Sequence, residues 1–537
     1  MDARPTYLRT RLSVMMFLQF FIWGAWWVPV STYAMEGLRF TPDDMTWIVS
    51  TIALGAMVSP LFGLIADRFL PTQWVLGGLH VIGGLCLILA GFQETFGWMF
   101  VVLLVNTICF MPTLALANSL SFRNLDDPNK FPRIALFGTI GWIVAGNAVG
   151  WLLGETKPYF FFLAGVVGLI QGAYCCFALP HTPPKRGVEA GADVFGLGAL
   201  KLLKERSFLI FAVCAFLVVI PINYYFAGCN PMLAQHEWPA PTAVMTLGQV
   251  TEVFVMFSMA GLIAALGLRN ILALGMLVWA LRYLLFATGA FPLVLLGIII
   301  HGFGYCFVYV GAYIYVDKWA PRHMRASAQS LIAFLMLGVG MLVGTKAAGW
   351  TLAEFPAVVS SIEATKVTEK ASETDTNAPI PAWKDLSELD TNHDGEIGRE
   401  EVRAVGDAGL TVGEGFPKFI YSNKEIGRVL LAADNLKTVR TRGDFRSAVH
   451  DELTVSRPDW IRAKLRHWAP FWLWPALASA VVGILYWFAS LATPEPPEEA
   501  REPGPAEKPR AEPPAEPPPL TGTAEAPGEA PPAPQNW

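Results

Sequence analysis

The chain consists largely of apolar runs of about 20 residues, the length an α-helix needs to cross a lipid bilayer. Of its 537 residues, 53% are apolar and only 15% are charged, well below the charged fraction of about 25% in soluble domains. Lipid offers no hydrogen bonds to the backbone, so runs of this length must form helices. The sequence therefore predicts an all-α polytopic membrane protein.

The runs fall into two groups of six. The first group, spans 1 to 6, covers roughly residues 13–34, 46–66, 73–93, 98–118, 134–154 and 158–179. The second, spans 7 to 12, covers roughly residues 207–228, 242–266, 271–290, 292–316, 325–348 and 470–493. We expect an N-terminal half (1–180), a cytoplasmic linker (181–206) and a C-terminal half (207–353 with 469–493). Two such halves are typical of transporters with a central site between them.

The charges of the short loops predict the orientation of the chain. Loops after the even-numbered spans of this series carry most of the cations: Arg68, Arg123, Lys130, Arg133, Lys185, Arg186, Arg269, Lys318, Arg322 and Arg325. Because cationic loops stay in the cytoplasm, both termini are predicted to be cytoplasmic. The chain itself is predicted to lie in the cell inner membrane. Residues 354–468 then form a small periplasmic insertion. Residues 494–537, rich in Pro, Ala and Glu, form a cytoplasmic tail that we predict to be disordered.

Glu252 is the only carboxylate inside any of these apolar runs, and it lies near the middle of span 8. A charge at that depth costs about 2.5–3.5 kcal/mol, so it usually faces a polar cavity or pathway. Gln249 lies three residues earlier, on the same helical face. We interpret the pair as part of a solute site in which Glu252 exchanges a proton. The alternative is a protonated carboxyl that hydrogen-bonds a neighbouring helix.

Two further helical faces carry residues suited to a cavity. In span 5, Thr139 and Trp142 share a face with Ala135 and could form a stacking wall beside a hydroxyl, although close helix packing would explain them equally well. In span 10, His301 and Tyr305 are spaced by four residues. The polar ends of these two side chains are expected to bind a solute or, alternatively, to hydrogen-bond a neighbouring helix.

Spans 7 and 9 add an interruption and a cation. Pro221 is predicted to break span 7 ahead of Asn223, an interruption that often marks transport sites. Arg282 is the deep cation of span 9. It is expected to pair either with a backbone carbonyl or with the carboxylate of Glu252.

Residues 390–401 in the insertion fit the twelve-residue calcium-binding EF-hand loop. The predicted ligands are Asp390, Asn392, Asp394, Glu396 through its backbone carbonyl, and Glu401, with Gly395 at the sharp turn. A single external loop favours structural Ca²⁺ over signalling; the alternative is an acidic surface turn that binds nothing. The seven cysteines have no metal-type spacing, and no nucleophile–base constellation indicates an enzyme.

Several strings in this chain resemble the nucleoside:proton symporter family of the major facilitator superfamily. They lie in order between about residues 10 and 350 and include Phe17 to Phe20, Gly63 to Arg68, Met111 to Asn118, Phe137 to Gly141, Gln249 to Glu252, Leu281 with Arg282, Val316 to Lys318 and Arg325 to Gln329. The resemblance implies a twelve-helix fold that carries nucleosides inward together with a proton. The positions it implies for the site are Thr139, Trp142, Gln249, Glu252, His301 and Tyr305.

The chain departs from the family pattern at two charged positions. Ala135 stands where an arginine is expected, and Cys306 where an aspartate is expected. Two alternatives to nucleoside transport therefore remain open: transport of another polyhydroxylated solute such as a sugar, and a receptor or scaffold that does not transport. The expected partners are the solute, a proton and the bilayer, with no nucleic acid, and the chain is expected to be monomeric.

Overall fold

The computed structural model describes residues 3–38, 40–125, 127, 130–184, 197–321, 324–355, 396–397, 455–456 and 468–492. Within these ranges the regular secondary structure is helical apart from two strands of two residues each. The following paragraphs concern these residues alone.

The N-terminal half consists of six helical spans. Their helices are Ala3–Trp27 with Val30–Thr32 and the π-helical Tyr33–Gly37, Pro42–Arg68, Thr72–Ala90, Phe96–Asn124, Phe131–Ala148 with the π-helical Val149–Leu153, and Tyr159–Ala178.

The C-terminal half begins with a 3₁₀ helix, Leu197–Lys204, and also contains six spans. Their helices are Arg206–Gln235; Pro241–Met245 with Leu247–Leu266; Leu268–Ala287; Phe291–Ile299 with His301–Tyr305, the π-helical Cys306–Val310 and Gly311–Trp319; Arg325–Ala333 with the π-helical Phe334–Gly340 and Met341–Glu354; and Trp468–Leu491.

Among the described residues, eleven helices are long and apolar enough to cross a membrane, and a bent helix pair makes a twelfth. The predicted all-α polytopic architecture is therefore confirmed. Below, spans 1 to 12 are these twelve segments in chain order.

Small residues allow the spans within each half to pack closely. Span 3 lies against span 6, where a Cβ added to Gly84 would come within 2.9 Å of the Gly165 carbonyl oxygen. Span 1 lies against span 5, and in the other half span 9 lies against span 12. Such close approach is how helices associate in lipid, where burial of apolar surface gives little driving force.

The two halves meet through three pairs of spans: 1 with 7, 2 with 11, and 5 with 8. Near the start of span 2 and the end of span 11, Lys346 forms an ion pair with Asp43, and Gly349 lies against Thr46. Between spans 5 and 8, Gly146 lies against Thr246. All these contacts are on the predicted outer side, so the molecule is closed on that side.

Two details of the sequence prediction are wrong. Pro221 does not break span 7, because Arg206–Gln235 is one continuous helix that also contains Pro231. The Tyr283 hydroxyl donates to the Pro221 carbonyl at 2.6 Å, which joins span 9 to this part of span 7. The interruption lies instead in span 10, which was predicted as one helix and bends by 40° at Ile300.

Little of the insertion lies within the described residues. Glu396–Ile397 pairs antiparallel with Val455–Ser456, with Ile397 opposite Val455. The other predicted metal ligands (Asp390, Asn392, Asp394 and Glu401) and the tail (494–537) lie outside the described residues. The insertion, its calcium loop and the tail therefore stay predictions.

Candidate substrate cavity

A cavity lies between the two halves, on the predicted outer side of the membrane centre. Spans 1, 5, 7 and 8 line it through Val28, Trp142, Gly146, Tyr225, Phe226, Thr242, Met245, Thr246 and Gln249. Its volume of about 10 Å³ is near the smallest space that holds one water molecule. A solute of metabolite size therefore requires the halves to move apart.

Trp142 forms the aromatic wall contributed by the N-terminal half. Its indole ring lies against Gly24, where an added Cβ would come within 3.1 Å of the ring. Trp23 meets Trp142 edge-on at 5.4 Å between ring centroids. Glycine at position 24 therefore lets span 1 approach the Trp142 ring closely.

Gln249 supplies the polar group of the opposite half. Its Oε1 atom is buried and has no hydrogen-bond partner among the described residues. Nearby, the Asn147 side-chain amide donates to the Thr246 hydroxyl at 3.3 Å, which joins spans 5 and 8. Because a buried acceptor without a partner is costly, Gln249 is suited to accept a hydrogen bond from a bound solute.

Glu252 lies one helical turn further along span 8 than Gln249 and is half-buried. Its backbone packs against span 10, where a Cβ added to Gly302 would fall 2.3 Å from the Glu252 nitrogen. The Cys306 thiol lies 3.6 Å from the Glu252 carbonyl oxygen, and the carboxyl is within electrostatic range of Tyr305. Glu252 therefore adjoins the cavity from beside span 10 without lining it.

The break in span 10 brings His301 behind the cavity wall. The buried His301 ring lies 5.1 Å from the Tyr225 ring and 5.7 Å from the Tyr305 ring. Tyr225 in turn lines the cavity. The helix then continues through a π-helical turn at Cys306–Val310, a distortion often found at functional sites.

Arg282 binds a backbone carbonyl, one of its two predicted partners. Its Nε donates to the Gly297 oxygen at 2.7 Å. The guanidinium carbon lies 4.4 Å from the Tyr225 ring centroid and 4.2 Å from that of Trp279. These cation–π contacts stabilise the buried charge and hold the Tyr225 ring in the cavity wall.

Five predicted site residues do not line the cavity: Glu252, His301 and Tyr305, whose positions are given above, and Thr139 and Asn223. Thr139 lies on the same helix as Trp142 and is half-buried, but it does not line the cavity. Asn223 donates to the Val219 carbonyl at 2.8 Å, and its Cβ faces Gly344 of span 11.

Seven lining residues were not predicted from the sequence: the polar Tyr225, Thr242 and Thr246, and also Val28, Gly146, Phe226 and Met245. Thr242, Thr246 and Gln249 follow one another at intervals of four and three residues, a helical pattern that could have indicated the two threonines. Among the described parts of the chain, no group of three or more His, Cys, Asp or Glu side chains could hold a metal ion.

Comparisons with known proteins identify the family. Residues 7–365 match the family model "Nucleoside H+ symporter". YegT of Escherichia coli K12, which its name assigns to nucleoside transport, is 39% identical over 356 residues, covering 63% of this chain and 83% of that protein. Xanthosine permease of the same organism is 31% identical over 372 residues, covering 64% and 88%.

A solved structure of the nucleoside transporter NupG superposes with a TM-score of 0.61 at 25% identity, covering 65% of this chain and 92% of that one. This similarity agrees with the two halves of six spans described above. The chain belongs to the nucleoside H+ symporter family.

Proposed function

We propose that this protein imports nucleosides or nucleoside-like solutes together with a proton, by alternating access. The observation that carries the proposal is the cavity itself, where Trp142 and the unpartnered Oε1 of Gln249 come together between the two halves. The match to nucleoside symporters over residues 7–365 supports the choice of solute, and it favours a transporter over an enzyme.

The side chains suit the parts of a nucleoside. An indole can stack on a nucleobase for about 1–3 kcal/mol, which suits Trp142. Gln249 can accept a hydrogen bond from a ribose hydroxyl. With Ala135 and Cys306 at the positions where the family pattern has charges, Glu252 is the carboxyl near the middle of a span that can carry the proton.

Uptake into membrane vesicles tests the proposal. Labelled nucleosides should accumulate when the outside is acidic, and sugars should not. Trp142→Ala should raise KM at least about fivefold through the lost stacking, whereas Trp142→Phe should keep most of the affinity.

Trp151→Ala is the matched control, because Trp151 follows in the same span and is 62% exposed. Accumulation of sugars in place of nucleosides would favour the polyhydroxylated-solute alternative. Folded protein that takes up neither class would favour the receptor alternative.

We further propose that the protein is a monomer in the inner membrane with both termini in the cytoplasm. The loop charges support this orientation. It places the insertion and the closed side of the molecule in the periplasm.

The insertion is proposed to hold one structural Ca²⁺ in the loop 390–401. The pairing of Glu396–Ile397 with Val455–Ser456 favours this, because it gives extended backbone at positions seven and eight of the loop, where Glu396 would offer its carbonyl oxygen. Such an ion would order the insertion without controlling transport.

Full-length protein in detergent should bind about one Ca²⁺ with a dissociation constant in the range of about 0.1–1 mM typical of extracellular sites. Glu401→Ala should abolish binding, because it removes the bidentate ligand, whereas Glu400→Ala should leave binding unchanged. Equilibrium dialysis with ⁴⁵Ca²⁺ measures both. Equal binding by wild type and Glu401→Ala would show that the loop holds no ion.

A further inference from the structure

Four buried polar side chains form a hydrogen-bonded chain that crosses between the halves twice. The Thr242 backbone N–H donates to Glu155 Oε1 at 2.9 Å, and the Asn230 amide donates to the Thr242 hydroxyl at 3.0 Å. The Thr32 hydroxyl donates to Asn230 Oδ1. All four residues are at most 8% exposed. We call Thr32, Asn230, Thr242 and Glu155 the gate chain.

The two ends of the gate chain belong to the N-terminal half, and its centre belongs to the C-terminal half. Thr32 lies in the last part of span 1 and Glu155 follows span 5, whereas Asn230 lies in span 7 and Thr242 lies at the start of span 8. Separation of the halves on this side must therefore break the first and last hydrogen bonds.

The environment of Glu155 makes its hydrogen bond important. Burial raises the pKa of the Glu155 carboxyl, and the hydrogen bonds from Thr242 act in the opposite direction. A buried acceptor that loses its partner bears its full desolvation cost. The position of Thr242 therefore favours burial of the Glu155 carboxylate.

Thr242 also lines the central cavity, together with Thr246 and Gln249 of the same helix. A solute that displaces this part of span 8 thus acts directly on the inter-half bond to Glu155, and through Asn230 on the inter-half bond to Thr32. By comparison, the Lys346–Asp43 pair, which joins spans 2 and 11 on the same outer side, has a largely exposed carboxylate, and exposed ion pairs contribute little.

We propose that the gate chain couples the cavity to the outer gate, with Glu155 and Asn230 as positioning residues that hold the outer side closed. This rests on the proposed transport function for its role in a cycle. The hydrogen bonds and their effect on closure can be measured without any substrate.

The test uses a reporter cysteine at Val28, a cavity-lining residue that is 9% exposed. In the Val28→Cys parent, a membrane-impermeant maleimide added outside intact cells should label slowly. Adding Glu155→Ala or Asn230→Leu should raise the labelling rate about tenfold, since each removes a buried hydrogen bond between the halves. Protein without the reporter gives the background from the native cysteines.

Two controls separate gating from misfolding. Glu155→Gln keeps an oxygen that accepts from the Thr242 N–H, so its labelling should stay within about twofold of the parent. Lys157→Ala changes an exposed neighbour and should also behave like the parent. Thermal unfolding of each purified variant identifies any that are not folded.

Unchanged labelling of folded Glu155→Ala would overturn the proposal, and so would labelling of Glu155→Gln as fast as that of Glu155→Ala. Because no substrate is added, failure to transport nucleosides would leave the labelling result interpretable.

Discussion

Replacing Glu252 with glutamine should abolish concentrative uptake while leaving solute binding intact. A symporter that moves one proton per solute can concentrate the solute about 100-fold across a gradient of two pH units, since each tenfold ratio corresponds to about 1.4 kcal/mol. Glu252→Gln cannot take up a proton, so the accumulation ratio should fall to about one. Vesicles with an imposed pH gradient and a labelled nucleoside measure the ratio directly.

Substrate exchange provides the internal control. Counterflow of labelled against unlabelled solute needs binding and the return of the loaded protein but no net proton movement, so it should persist in Glu252→Gln. Glu252→Asp keeps a carboxyl and should retain part of the accumulation. Glu205→Gln, which changes an exposed glutamate just before span 7, should match wild type. Gradient-driven accumulation by Glu252→Gln would assign the proton to another group.

The second large effect is expected from Gly141→Val, which should prevent stable packing of the N-terminal half. A Cβ at position 141 would lie 2.2 Å from the Phe17 carbonyl oxygen and 2.9 Å from its carbon. These are backbone atoms of span 1, so the clash can be relieved only by moving spans 1 and 5 apart. Overpacking typically costs about 1–3 kcal/mol, and backbone displacement places this change at or above that range.

Thermal unfolding of the purified variant in detergent measures the effect, with Gly78→Val as the matched control. Gly78 lies in span 3, and an added Cβ there meets no atom within 4 Å. We expect a clear fall in Tm for Gly141→Val and almost none for Gly78→Val. Equal Tm values would mean that spans 1 and 5 are not packed as closely as described. Because Trp142 is the next residue, a surviving Gly141→Val protein should also bind solute weakly.

Much of the fold was predictable because the bilayer constrains it through length and charge alone. Runs of about 20 apolar residues correspond to the observed spans, and most helix ends lie within four residues of the predictions. Span 1 begins ten residues earlier than predicted, at Ala3, and spans 4, 7 and 11 end six or seven residues later. The failures concern backbone details inside the membrane. Pro221 predicted a break that the continuous helix Arg206–Gln235 does not contain, whereas the real break at Ile300 precedes Gly302 and Gly304, which pack against the Glu252 backbone and the Trp279 side chain.

The candidate site was predictable only in part, because the sequence shows the chemistry of each side chain but not which helices lie beside it. Trp142 and Gln249 were selected for their chemistry, and both line the cavity. Thr139 and Asn223 were selected on similar grounds, but Asn223 faces Gly344, because a helical face identifies neighbours only when the adjacent helix is known. Glu155, which lies in a short loop, carries no sequence signal that connects it with Thr242.

By itself, the sequence determined that this protein spans a membrane with two groups of six helices, and that Glu252 is the costly carboxylate within them. Those properties depend on the solubility of each segment in lipid, which is local to the chain. The tertiary structure alone decided that Trp142 and Gln249 share a cavity, that Arg282 supports Tyr225, and that Glu155 holds Thr242 from the other half. Those relations depend on which helices lie side by side, which composition and periodicity do not specify.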